Sequence, residues 1–115
     1  MAVTAQASGT QAATIGTEHT LADIAAAGTY TLHVDSNAMA AGDSLELRIY
    51  QIVLTGGTRR VAYFQGYYDA QSSDDQIKIS VPISNELTDA GALRFTLKQT
   101  TGTGRSYPWK VLKYA

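Results

Sequence analysis

Apolar residues in this chain recur mainly at every second position, the period of β-strands. In Thr29–Val34, Tyr30, Leu32 and Val34 alternate with Thr29, Thr31 and His33, the pattern of a half-buried strand. Leu45, Leu47 and Ile49 then share a face, with Glu46 and Arg48 pointing away. The phase slips to Tyr50, Ile52 and Leu54, as a β-bulge near Tyr50–Gln51 would cause. Gly56–Gly57 tolerates the positive φ of a type I′ or II′ turn, so 44–55 and 58–70 read as one long hairpin. Its return arm carries Val61, Tyr63, Phe64, Tyr67 and Tyr68, with Gly66 marking a second bend or bulge. Ile77, Ile79, Val81 and Ile83 alternate with Gln76, Lys78, Ser80 and Pro82, and the proline points to a sheet edge. Leu93, Phe95 and Leu97 form a further strand, 101–104 turns the chain, and Ser106–Tyr114 is the last strand.

The remaining segments are less regular. Thr20–Ala27 has the alanine content of a helical turn, with Thr20 as N-cap and Gly28 as stop, and reads as a short helix or an irregular edge. Ser84–Gly91 is a loop with room for one helical turn at Asn85. Residues 1–14 are Ala, Thr, Gln, Ser and Gly with almost nothing large to bury, so they read as a flexible N-terminal arm. Six strands separated by turns predict an all-β fold: an antiparallel β-sandwich, jelly-roll-like, forming a single domain over 15–115.

Composition narrows the classes. With no cysteine, a disulfide framework and Cys-based metal sites are excluded. No stretch approaches the roughly 18 apolar residues of a membrane helix. The first residues lack the basic and apolar regions of a signal peptide, so export is not expected. Charge is unevenly placed: residues 1–47 hold five acids and no Lys or Arg, while 48–115 hold all nine basic residues against five acids. Such a split fits an acidic partner or head-to-tail association, or else neutralisation within one folded surface.

Catalytic candidates are few. Only His19 and His33 are of the residue type that could serve as a near-neutral base, and neither stands in a zinc-binding spacing. Asp35–Asn37 and Asp74–Asp75 read as turn formers, since neither completes a calcium loop. Glu46 has no partner for glycosyl transfer, and there is no GxSxG elbow or phosphate-binding loop. An enzyme is not expected, nor a metal or cofactor. The aromatic set stands out instead. Tyr50, Tyr63, Phe64, Tyr67 and Tyr68 sit on the hairpin, and Tyr107 and Trp109 on the last strand. Adjacent pairs project to opposite faces, so one ring can fill the core while the other meets solvent, a sugar or another subunit. Two arginines beside the turn, Arg59 and Arg60, are too few for a nucleic-acid stripe.

Read together, Gly28–Asp35, Ala41–Ile49, Gly56-Gly57-Thr58 and Thr96–Arg105 (TLKQTTGTGR) resemble the small all-β virion proteins of tailed bacteriophages, over roughly residues 17–114. The resemblance implies a non-enzymatic capsid decoration (cement) protein on the outer shell. It would bind the major capsid protein and itself, as a dimer or trimer, with no nucleic acid or membrane. It would be made in the host cytoplasm and located on the virion. The expected interface residues are Tyr50, Arg59, Arg60, Tyr63, Tyr67, Tyr68 and Trp109, together with the 1–14 arm. A tail or head-fibre component, an adhesin, and a carbohydrate-binding β-sandwich module are the alternatives.

Overall fold

The computed structural model describes residues 2–114. Its strands are β1 (Val3–Ala12), β2 (Glu18–Ile24), β3 (Gly28–Asp35), β4 (Ser44–Gln51), β5 (Arg60–Tyr68), β6 (Ile77–Ile79), β7 (Ile83–Asn85), β8 (Leu93–Thr101) and β9 (Ser106–Tyr114). Among the described residues there is no helix. The strands form two antiparallel sheets packed as a sandwich. One runs β1-β9-β3-β6, with β7 also on β3; the other runs β2-β8-β4-β5. Most connections carry the chain from one sheet to the other, and β4–β5 is a hairpin within one sheet.

The core lies where the alternation placed it. Tyr30, Leu32 and Val34 of β3 and Tyr107 and Val111 of β9 face Leu45, Leu47 and Ile49 of β4 and Leu93, Phe95 and Leu97 of β8. Ala22 and Ile24 of β2 and Met39 fill the margins. Each large side chain so buried contributes about 1.5–3 kcal/mol. Tyr30 is fully buried and satisfies its hydroxyl by donating to Ala26 O at 2.8 Å.

A polar network closes one end of the sandwich. The Asp43 carboxylate, 1% exposed, accepts from Ala40 N–H (2.9 Å), Thr103 N–H (3.1 Å) and Arg105 Nε (2.9 Å). Fully buried Gln99 accepts from Arg105 N–H and the Tyr107 hydroxyl, and donates to Thr101 O and Thr103 O. The β8–β9 turn is thus shaped around two buried side chains. Gly102 allows this: its φ is +89°, and a Cβ there would lie 2.0 Å from Asp43 Oδ1.

Several expectations are corrected. Residues 3–12 are not a free arm; they form β1, in register with β9 from Val3↔Tyr114 to Ala12↔Ser106. Small polar residues cannot order themselves, but β9 supplies a ladder of backbone partners. The 20–27 segment is not helical. Glu18–Ile24 is an edge strand on β8, bulged at Leu21, so the irregular-edge reading is the one that holds. The hairpin arms are shorter than 44–55 and 58–70, and the turn at 54–57 has positive φ only at Gly56, with Gly57 N–H donating to Leu54 O at 2.8 Å. That is the pattern of a type II turn inside a longer loop. The bulge near Tyr50 is present, with Ala62 as the extra residue opposite Ile49–Tyr50, whereas Gly66 pairs with Glu46 in unbroken register. Residues 83–85 form β7 instead of opening a helical turn.

Candidate interaction surfaces

The seven expected interface residues do not form one surface. Pairing Leu45↔Tyr67 and Ile49↔Tyr63 turns Tyr63 and Tyr67 inward, where they pack against the core. Burial pushes the Tyr67 phenol up to about 12, helped by Tyr63 and Asp75. Lys78 reaches across from the other sheet, its Nζ 4.7 Å from the Tyr67 ring centre and 3.1 Å from Asp75 Oδ2. These two tyrosines therefore close the sandwich between β5 and β6. Their sequence neighbours, Phe64 (48% exposed) and Tyr68 (68%), point outward, as the alternation of adjacent pairs requires. Trp109 belongs to the opposite sheet, where its indole lies over Gly9 of β1; a Cβ on Gly9 would sit 3.4 Å from the ring.

Tyr50 and Arg59 line a polar cleft of about 360 Å³ on the outer face of the second sheet, with Glu18, Thr20, Arg94 and Thr96. Arg60 lies outside it, exposed at the start of β5. Glu18 Oε2 accepts from the Tyr50 hydroxyl at 2.5 Å and from Thr96 Oγ1 at 2.7 Å. Partial burial raises its carboxyl, but these bonds, with Arg48 and Lys98 nearby, hold it below the usual carboxylate value. Burial and Glu18 push the Tyr50 phenol up. Arg94 grips Asp23 with both Nε (2.7 Å) and Nη2 (3.0 Å), and Arg48 pairs with Glu46 at 2.9 Å while lying 4.8 Å over the Phe64 ring. The cleft presents one carboxylate, Glu18, beside two arginines and the hydroxyls of Thr20, Tyr50 and Thr96.

The two histidines are held in structural contacts. His19 Nε2 accepts from Thr14 N–H at 3.1 Å. His33 hydrogen-bonds Thr31 Oγ1 at 2.9 Å, and burial, reinforced by Lys110, lowers its pKa and keeps the ring neutral. Among the described residues, no group of three or more His, Asp or Glu is placed to hold a metal ion.

A surface that sequence reasoning missed lies on the outer face of the first sheet. Pairing His33↔Ile79 and Asp35↔Ile77 with Val34↔Lys78 turns the isoleucines out and the lysine in. Ile77, Ile79 and Val81 are 52%, 57% and 56% exposed, whereas Lys78 and Ser80 are buried. Alternation would place the apolar set inside, and here it is inverted. Lys78 and Ser80 go inward because each has a specific partner there. Lys78 has Asp75 and the Tyr67 ring; Ser80 Oγ accepts from Leu32 N–H at 2.9 Å. Beside Ile77, a mainly apolar cleft of about 360 Å³ is lined by Ser8, His33, Pro108, Trp109 and Lys110. The signal available in the sequence was Pro82, which breaks the strand into β6 and β7 and marks the edge.

Compared with known protein families, curated proteins and solved structures, the chain shows no significant match to any of them.

Proposed function

We propose that this protein is a non-enzymatic structural subunit of a phage virion, a decoration (cement) protein seated on the outside of the head. The observation that carries this reading is the apolar row Ile77, Ile79 and Val81. It stands on the outer side of a sheet edge, more than half exposed and flanked by an apolar cleft. A row of this kind on a small domain is a surface made to be covered by another chain. The strand order supports the jelly-roll form of the sandwich. Its sheets, β1-β9-β3-β6 facing β2-β8-β4-β5, with the chain passing between them, follow the order of two interlocked Greek keys. That architecture is used in viral coats. The shell's major capsid protein would cover the row.

The test is co-expression with the major capsid protein encoded in the same genome, followed by sedimentation of the assembled heads. The wild-type chain should travel with the heads. Ile79→Asp should leave the melting temperature nearly unchanged, as exposed substitutions do, and should abolish co-sedimentation. Wild-type chain left in the supernatant would overturn the decoration role. Undiminished binding of Ile79→Asp would overturn the assignment of the surface.

A further inference from the structure

A sandwich of two open sheets has four edges, and three of them carry features that discourage pairing with another strand. On β2 these are Glu18, Asp23 and a bulge at Leu21. On β5 they are Arg60 and the bulge at Ala62. The β6–β7 edge consists of two three-residue strands separated by Pro82, with Lys78 in the first. Charges, bulges, prolines and short length are how folded proteins keep strand edges apart. The fourth edge, β1, is different. It is ten residues long, Val-Thr-Ala-Gln-Ala-Ser-Gly-Thr-Gln-Ala, with no charge and no proline. Its one bulge, at Gln6, leaves Ala7–Ala12 in unbroken register with β9. Among the described residues nothing pairs with its other side.

We propose that the free edge of β1 pairs antiparallel with the same edge of a second copy, joining the two first sheets across a twofold axis into one continuous sheet. Antiparallel strand edges are self-complementary, so one strand can serve both sides of an isologous contact. An edge that meets its own copy brings whatever net charge it carries against an equal charge of the same sign, so a neutral edge suits such pairing. The side chains of β1 meet this condition; the first charged side chain in the sequence is Glu18. The nearest lysine on the same row, Lys110, is paired with Ser8 one strand further in, on β9. In the joined sheet the two Lys110 strands would be three strand spacings apart, about 14 Å. That exceeds the screening length of about 8 Å at physiological salt. Lysines placed on β1 itself would lie within a single spacing of the dyad. This inference stands independently of the virion reading.

The test is light scattering of the wild-type chain and of the double variant Thr10→Lys/Ala12→Lys, at low and high micromolar concentration. The wild type should reach twice its 12.3 kDa mass at the higher concentration, and the variant should stay at 12.3 kDa. Trp109, the single tryptophan, rests on Gly9, so unchanged emission shows that β1 is still docked on β9 in the variant. Amide exchange of the wild type supplies a second reading that needs no variant. In the monomer, alternate N–H groups of Ala7–Ala12 face solvent and exchange rapidly; in the dimer these become protected. A wild type that remains monomeric at high concentration overturns the proposal. So does a dimer in which the same alternate amides still exchange freely.

Discussion

At the scale of single residues, the most consequential group is Asp43. Burial raises its carboxyl, but the donors from Ala40, Arg105 and Thr103 lower it further, leaving it below the ordinary 3.8. A depressed folded pKa means that Asp43 stabilises the fold above its unfolded value, and that this contribution is lost as pH falls through the folded one. Asp43→Asn should therefore lower stability at pH 7 by about 3 kcal/mol. This is the low end for breaking a buried pair, since Arg105 keeps partial solvent access. The deficit should shrink as wild type and variant are melted at pH values below 4; a gap independent of pH would show that charge is not the cause. Read along the chain, Asp43 lies just before the first hairpin arm and Gln99 just after the Leu93–Leu97 alternation. Neither position foresees that the two meet through Thr103 and Arg105, because that contact is made only when the β8–β9 turn folds over the β3–β4 connection.

At the scale of elements, legibility follows burial. Strands β3, β4 and β8, which sit in the middle of the sheets, were readable from alternation because water on one side and core on the other impose it. Edge strands escape that rule. β1 has no buried face to impose a pattern, and the alanines of β2 imitate a helical turn while its backbone pairs with β8. The β6–β7 edge keeps its period but reverses its sense, for a reason visible only in the hydrogen bonds. Ser80 N–H donates to Leu32 O at 2.9 Å, and Leu32 N–H donates back to Ser80 Oγ at 2.9 Å. A side-chain hydroxyl thus replaces a strand carbonyl where Pro82 interrupts the ladder. Ser80→Ala would leave a buried N–H without a partner, so denaturant unfolding should show a loss of about 1–3 kcal/mol. Ser80→Thr, which keeps the hydroxyl, should lose less; equal losses would mean that packing alone is responsible.

At the scale of the whole molecule, the uneven charge of the chain is resolved by folding. Asp43–Arg105, Asp23–Arg94 and Glu46–Arg48 each join an acid from the first 47 residues to a base from the remainder. Among the surfaces the folded chain leaves uncovered, two lie on opposite edges of one sheet: the neutral edge of β1 at one end, and Ile77, Ile79 and Val81 at the other. Pairing through β1 would set the two apolar rows at the far ends of a joined sheet, both carried on the same rigid body. A dimer of this shape would meet a repeating shell with two contacts, and the second would form at high effective concentration. Such bivalency raises apparent affinity by about 10²–10⁴-fold when the spacing matches. Thr10→Lys/Ala12→Lys, at positions outside the apolar row and the cleft beside it, should therefore weaken co-sedimentation with heads by a large factor. Binding as tight as the wild type would show that each copy sits on the shell alone, whereas weakening that parallels the loss of dimer mass would tie the two surfaces to one act of assembly.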